Sequence, residues 1–374
     1  MGSRAVATGS DSAGAAGAAL REARTSSTTG AHVRTAFGLR LSSDRALTLR
    51  EATAGDVDLQ IGEVKSSAPS DRGPGRLIHH VTAARPTMHD LNVHQRGADL
   101  DIAYGDWRVS WNALNGVVRY FAPVAQLGAF DAVMTRVALP LIALRRSLGR
   151  IGLHASSVAL LGGAWLFVGQ PGAGKSTVFR GLLQRGALVI SDDFTLVDSA
   201  AGHALPGTPE LRLWEAPLDV PEAVSHGVVP ETGKPWFRLP DSRLSLESVP
   251  LLGIVHMSPR QEPGPTELVR LEGLRALELL LASTFDLSVP PAEERAQRFR
   301  GAASVVAQAS SFVCHYHKDR ERLEEHIDRI FDMLTALGTI HATARSQSSA
   351  AIVRQMGNDP TCVGESTDPR TRRQ

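Results

Sequence analysis

The stretch from Leu153 to Asp198, LHASSVALLGGAWLFVGQPGAGKSTVFRGLLQRGALVISDDFTLVD, decides the fold. At its centre, Gly169-Gln170-Pro171-Gly172-Ala173-Gly174-Lys175-Ser176 matches G-x-x-x-x-G-K-[ST], with an extra glycine at 172. Ala164 to Val168 is an apolar run that suits a buried strand feeding the loop. Beyond the loop, Val178, Phe179, Leu182 and Leu183 recur at helical spacing, and Gly186 is a fitting stop. Strand, glycine loop and helix in this order curl backbone N–H groups and a helix N-terminus toward one anion. Lys175 would add a mobile charge for β- and γ-phosphates and Ser176 a hydroxyl for Mg²⁺, so the loop is expected to hold a nucleotide phosphate.

The next apolar run, Ala187 to Ile190, ends in Ser191-Asp192-Asp193. Ligands of α/β sheets collect at the carboxyl ends of strands, so a carboxylate here is well placed. Adjacent side chains at a strand end point different ways; one suffices for Mg²⁺ or its water, and the other is free to act as a base. The bland alternative is a pair of aspartates opening a turn. Upstream, His154 precedes the apolar stretch Ala155 to Leu161, which meets the loop strand through Gly162-Gly163 as an antiparallel hairpin. A lone histidine at a strand start is more often structural than functional.

Three spacings together resemble one family: the His in LHASSV, the GxxGxGKS loop, and the SDD that closes the strand after QRGALVI. The block is similar to the catalytic domain of HPr kinase/phosphorylase and its bacterial relatives, ATP-dependent serine kinases distantly similar to phosphoenolpyruvate carboxykinase. The resemblance implies an α/β, P-loop-containing HPr kinase C-terminal-like domain with a mixed sheet, preceded here by a small β-rich domain. It implies ATP and Mg²⁺ as cofactors, with Gly169 through Thr177 around the phosphates. By the same resemblance His154 belongs to the active site, Lys175 meets phosphate, Ser176 meets Mg²⁺, Asp193 accepts the proton of a substrate serine, and Asp192 supports the metal or the loop. Pro206 to Trp214 resembles the family's segment with a metal-ligating Glu followed by Arg, which suggests Glu210 as second metal ligand and Arg212 as a phosphate contact; Glu215 is the alternative ligand. A later arginine also enters the family's site, and Arg238 and Arg243 are both candidates, while Lys234 faces either nucleotide or solvent. Thr177 stands where the bifunctional enzymes carry Glu, and the half before residue 150 shows no similarity to their regulatory domain.

The remainder of the second half is expected to supply a strand over Leu251–Met257, helices over Gly273–Ala282 and Pro291–Ala309, a strand over Phe312–Tyr316 and a last helix striped by Leu323, Ile327, Ile330, Phe331 and Leu334. Cys314, His315, His317 and His326 invite a zinc reading, but strand alternation separates Cys314 from the two strand histidines, so a single tetrahedral site is awkward. In the first half, Asp56 to Ile61 alternates with period two, Asp99–Tyr104 and Asp106–Trp111 flank Gly105 as a hairpin, and Asp131–Leu148 reads as one or two helices, broken or bent at Pro140. His79-His80 reads as an exposed or edge pair. The expected organisation is a flexible lead over 1–31, a β-rich domain over 32–149, the ATP-binding catalytic domain over 150–340 and a flexible tail over 341–374.

Across 374 residues, 40 Lys and Arg oppose 39 Asp and Glu, a formal charge of +1 that argues against a coat for nucleic acid or an anionic membrane. The basic residues divide into 36 arginines and four lysines. The most apolar run, Val133 to Leu144, is interrupted by Arg136 and Pro140, and no stretch nears the roughly 18 uninterrupted apolar residues of a membrane span. The N-terminus lacks a leader profile, and two cysteines make no disulfide framework, so a cytoplasmic chain is the expectation. The leading expectation is a kinase that moves the γ-phosphoryl group of ATP to a serine of a protein or peptide, with a homo-oligomer left open. The alternatives are a small-molecule kinase or carboxykinase-like enzyme, and a non-catalytic nucleotide-binding regulator that would have lost the acidic base. No signature resembling LSGGQ points to an ABC-type ATPase.

Overall fold

The computed structural model describes residues 33–52, 56–64, 75–83, 89–146, 149–212, 223–228, 234–285, 292–319 and 321–357. The lead, most of the Ser66–Arg76 loop, Leu213 to Glu215 and the end of the tail with Cys362 lie outside them. Strands β1 (Val33–Ala36), β2 (Leu39–Ser43), β3 (Arg50–Glu51), β4 (Leu59–Glu63), β5 (Arg76–Val81), β6 (Leu91–Arg96), β7 (Asp99–Tyr104), β8 (Trp107–Trp111) and β9 (Val117–Phe121) form one sheet in the order β3-β1-β2-β4-β9-β8-β7-β6-β5. Period-two patterning sets the faces: Leu59 and Ile61 are buried while Gln60 between them is exposed. Gly105, at φ +56°, turns β7 into β8.

Helix α1 (Val124–Arg146) covers this sheet with Phe130, Val133, Met134, Leu139, Leu141 and Ile142. It has the length and mean hydropathy (1.6) of a membrane span, and 61% of that window is buried inside the protein, as in a core helix. The break expected at Pro140 is absent. Instead a π turn over Met134–Ala138 sits just upstream, with Leu139 N–H bonded to the Met134 carbonyl. The widened turn absorbs the proline ring and its missing donor without ending the helix. The core beneath α1 also takes in Phe194, Leu196 and Leu205, so it crosses the boundary expected at residue 149.

The second sheet is mixed. It is built from β10 (Arg150–Leu153), β11 (Ala155–Leu160), β12 (Gly163–Val168), β13 (Leu188–Ser191), β14 (Thr195–Asp198), β15 (His203–Leu205), β19 (Val249–Arg260), β20 (Glu267–Leu271) and β21 (Ser310–His317). β19 is the hub, parallel to β12 on one side and to β21 on the other, with its first residues antiparallel to β15. A separate three-stranded sheet joins β16 (Glu210–Arg212), β18 (Pro235–Arg238) and β17 (Val224–Val228) in that order.

Every residue of β12 is buried, because helices cover both faces. Trp165 and Phe167 pack under α2 (Lys175–Gln184) and α5 (Leu323–Gly357); Ala164, Leu166 and Val168 face α3 (Gly273–Leu281) and α4 (Ala292–Gln308). Helix α5 continues past the expected boundary at residue 340, since HATARSQSSAAIVRQMG contains neither proline nor an early glycine to stop it.

His256 lies in β19, 6% exposed, with a buried Nε2 that has no hydrogen-bond partner. Burial, aided by the charge of Arg275, pushes its pKa down to about 4. A histidine depressed in the native state binds its proton first in the unfolded chain, so it contributes nothing above about pH 6.5 and destabilises the fold as pH falls toward 4. His256→Leu is expected to remove about 2–3 kcal/mol of the stability lost between pH 7 and pH 4.5. Denaturant melts of both chains at the two pH values measure it; parallel losses would show that His256 is not the group that titrates.

Candidate functional site

The loop between β12 and α2 is shaped by glycines at φ +146° (Gly169), +80° (Gly172) and +79° (Gly174). A side chain at 174 would be strained there and would collide with the Tyr316 hydroxyl, which donates to the Ala173 carbonyl at 2.7 Å. Gly174 is also the N-cap of α2; its carbonyl takes the Thr177 and Val178 N–H groups, and no side chain caps the first turn. Lys175 folds back over the loop and donates to the carbonyls of Gly169 at 2.7 Å and Gln170 at 3.3 Å. Thr177, Gln170 and Pro171 are exposed, Ala173 is buried, and Ser176 is half-buried.

Two further lysines close on the same loop. Lys234, just before β18, donates to Ser176 Oγ at 3.1 Å, so of the two faces open to it in the sequence it takes the loop side. Lys318, just after β21, donates to the Gly172 carbonyl at 3.1 Å. Burial lowers the Lys175 pKa; Asp193 and Asp192 oppose that shift and Lys234 adds to it. These charges therefore act on one another across a small volume.

The aspartate pair divides its labour. Asp192 is 4% exposed and accepts from Ser156 Oγ at 2.8 Å and from the Arg212 backbone N–H at 2.9 Å. Burial, and then the neighbouring Asp193 charge, push its carboxyl above the usual range. With both oxygens engaged, Asp192 ties β13 to β11 and β16 and braces the loop. Asp193 has the opposite setting: its side chain is 40% exposed and pairs with Arg212 Nη1 at 2.8 Å. Its φ of +62° is a left-handed conformation, sparsely populated by non-glycine residues and found at functional turns. Arg212 Nε is buried with no partner, a donor still to be matched.

His154 is exposed between β10 and β11, just before the Ala155–Val168 pair that opens the hairpin. Its ring lies 5.2 Å from Phe285, which packs edge-on against Phe194 at 5.3 Å, the residue after Asp193. That places His154 at the rim of the strand-end cleft. Its sequence neighbours show why: Leu153 and Ala155 turn into the core. His79 of β5 lies 6.4 Å from the same Phe285 ring, half-buried, with its pKa lowered by burial and then by His80.

Glu210 is deeply enclosed. Expected as a second metal ligand, it is 1% exposed and engages Arg136 Nε at 3.3 Å and Thr135 Oγ1 at 3.3 Å, both on the π turn of α1. The Arg136 guanidinium also lies 4.6 Å above the Trp236 ring. Burial raises the Glu210 pKa against the pull of Arg136. A carboxylate so enclosed anchors β16 to the first half of the chain, and among the described residues no cluster of three acidic, His or Cys side chains forms a metal centre. Arg243 donates to the Leu183 carbonyl at the end of α2 and serves that helix. Arg238 lies directly across from Glu210 in β18, on the face of the small sheet shared with Glu210. Tyr316, Lys318 and Arg136 went unread in the sequence. The signal for Lys318 was available in the scarcity of lysine; Arg136 had none, because α1 is distant from β16 along the chain.

The Arg136–Glu210 pair gives a direct test of this anchoring. Arg136→Met leaves a buried carboxylate alone and is expected to destabilise the protein by about 3–5 kcal/mol. The double variant Arg136→Met/Glu210→Leu should recover most of that in equilibrium unfolding. Additive losses in the double variant would show that the two groups do not interact.

No family model matches the chain, and no curated protein is significantly similar to it. Among solved structures, the Hpr(Ser) kinase/phosphatase from Coxiella burnetii aligns over 51% of this chain and 97% of that one, at 11% identity and a TM-score of 0.25.

Proposed function

We propose that the protein is an ATP-dependent kinase that phosphorylates a serine hydroxyl of a protein or peptide. The observation that carries this reading is the geometry of Asp193: an accessible carboxylate in a left-handed backbone, at a strand end, electrostatically coupled to Lys175 and paired to Arg212. Glycine loop, lysine, helix N-terminus and carboxylate are the parts that phosphoryl transfer uses to position a nucleotide and spread charge on the moving group.

In the transfer, the acceptor Oγ–H gives its proton to Asp193 as the Oγ–P bond forms and the bond from Pγ to the β–γ bridging oxygen breaks, releasing ADP. Arg212 exchanges Asp193 for the transferring phosphoryl group, to which its unmatched Nε also donates. That exchange frees Asp193 as a base. Lys175 leaves its two loop carbonyls for phosphate oxygens. The donor set suits Mg²⁺, which needs few protein ligands beside phosphate oxygens and water: Ser176 Oγ would hold it, with the Asp192–Asp193 corner beside it. When bound, Mg²⁺ would neutralise β- and γ-phosphate charge. His154 at the cleft rim, beside the Phe285 and Phe194 rings, is the side chain placed to orient an acceptor.

Incubation of the full chain with γ-labelled ATP and candidate peptides, read by phosphoserine mass spectrometry, tests the reading. Asp193→Asn is expected to keep ATP binding and lose transfer by about 10²–10⁴-fold, the range of a general base. Transfer retained in Asp193→Asn rejects the base assignment, and label passing only to a free metabolite rejects the peptide acceptor.

A further inference from the structure

We propose that Lys234 and Lys318 are phosphate ligands which, with Lys175, form a three-ammonium cradle for the polyphosphate of the nucleotide. The proposal rests on the reading above only in taking the glycine loop as the phosphate site.

The chain holds four lysines against 36 arginines. Among the described residues its lysines are Lys175, Lys234 and Lys318, and all three reach the same loop. They arrive from unrelated places: the first residue of α2, the lead into β18 of the small sheet, and the residue after β21. A random scatter of a rare residue does not converge in this way. The convergence also selects the side chain, because a compact ammonium with three rotatable donors fits among phosphates where a wide planar guanidinium does not.

The oxygens that Lys175 and Lys318 now touch are neutral. Lys175 and Lys318 rest on backbone carbonyls, and Lys234 touches the Ser176 hydroxyl. Neither Lys175 nor Lys318 forms an ion pair among the described residues. The two nearby carboxylates are committed elsewhere, Asp192 to Ser156 and the Arg212 backbone, Asp193 to the Arg212 side chain. Among the described residues, Arg212 joins the three ammonium groups on this side of the sheet through its pair with Asp193. Carbonyl contacts at 2.7 and 3.1 Å hold the ammonium groups where an anion seated on the helix N-terminus would meet them. Three ammonium groups converging on one loop suit a ligand of several negative charges, a triphosphate better than a monophosphate.

The experiment is displacement of a fluorescent nucleotide from the full chain by ATP, ADP and AMP, for wild type, Lys234→Ala, Lys318→Ala and Lys234→Arg, with Arg322→Ala as an exposed control. Each alanine variant is expected to weaken ATP by about 10- to 100-fold, ADP by less and AMP by under about twofold. Lys234→Arg should recover little, the control should match wild type, and unliganded thermal midpoints should stay together. Wild-type ATP affinity in the alanine variants overturns the proposal. An equal loss for ATP and AMP also overturns it, since the lysines would then only brace the loop. Failure of the wild type to bind any nucleotide rejects the phosphate site itself. Tight ATP binding by the wild type without transfer rejects the kinase reading alone and leaves the cradle standing on the variant series.

Discussion

The turn from β12 into α2 is the constraint on which the rest depends. Six residues must reverse from a buried strand into a helix, and glycine conformations alone leave such a loop floppy. It is held from outside. Tyr316 on β21 donates to Ala173 and fills the space that a side chain at 174 would need. Lys175, Lys234 and Lys318 take up carbonyl and hydroxyl oxygens around it. Because β21 is parallel to β19, and β19 to β12, the ends of all three strands arrive on one side of the sheet. The order of the strands, more than any one residue, brings Tyr316 and Lys318 to a loop far from them in sequence.

A second bracing system runs through the aspartate corner. Asp192 joins Ser156 of β11 to the backbone of Arg212 on β16, and Arg212 in turn holds Asp193. Two residues along β16, Glu210 is locked to Arg136 and Thr135 on the π turn of α1. The short strand thus carries one buried ion pair toward the first half of the chain and one accessible ion pair toward the cleft. Buried pairs of this kind add little net stability but penalise every arrangement that separates the partners. That penalty fixes the small sheet over the loop, and with it Lys234.

Much of the second half was legible in the sequence because its signals are local. The period of Val178, Phe179, Leu182 and Leu183 is a property of one helix, and the alternation around Cys314 a property of one strand. The loop and the aspartate corner were readable for the same reason. The enclosure of Glu210 was not legible because its partner comes from α1: sequence spacing showed a carboxylate two residues from an arginine, and nothing local showed that Arg136 would enclose it. The break expected at Pro140 is absent for a related reason. A proline's cost can be absorbed by a wider turn upstream, a solution that a residue-by-residue reading does not contain.

By itself the sequence determined the strand–loop–helix, the residue types within it, and the rarity of lysine beside abundant arginine. Tertiary structure alone decided which side chains meet that loop and which carboxylates stay accessible. The physical reason is that φ/ψ preference and hydrophobic period act over a few residues, whereas burial and ion pairing are set by whichever strand or helix packs alongside. Lys175 could be picked from its motif; Lys234 and Lys318 became its companions only when three separate elements closed around one turn of backbone.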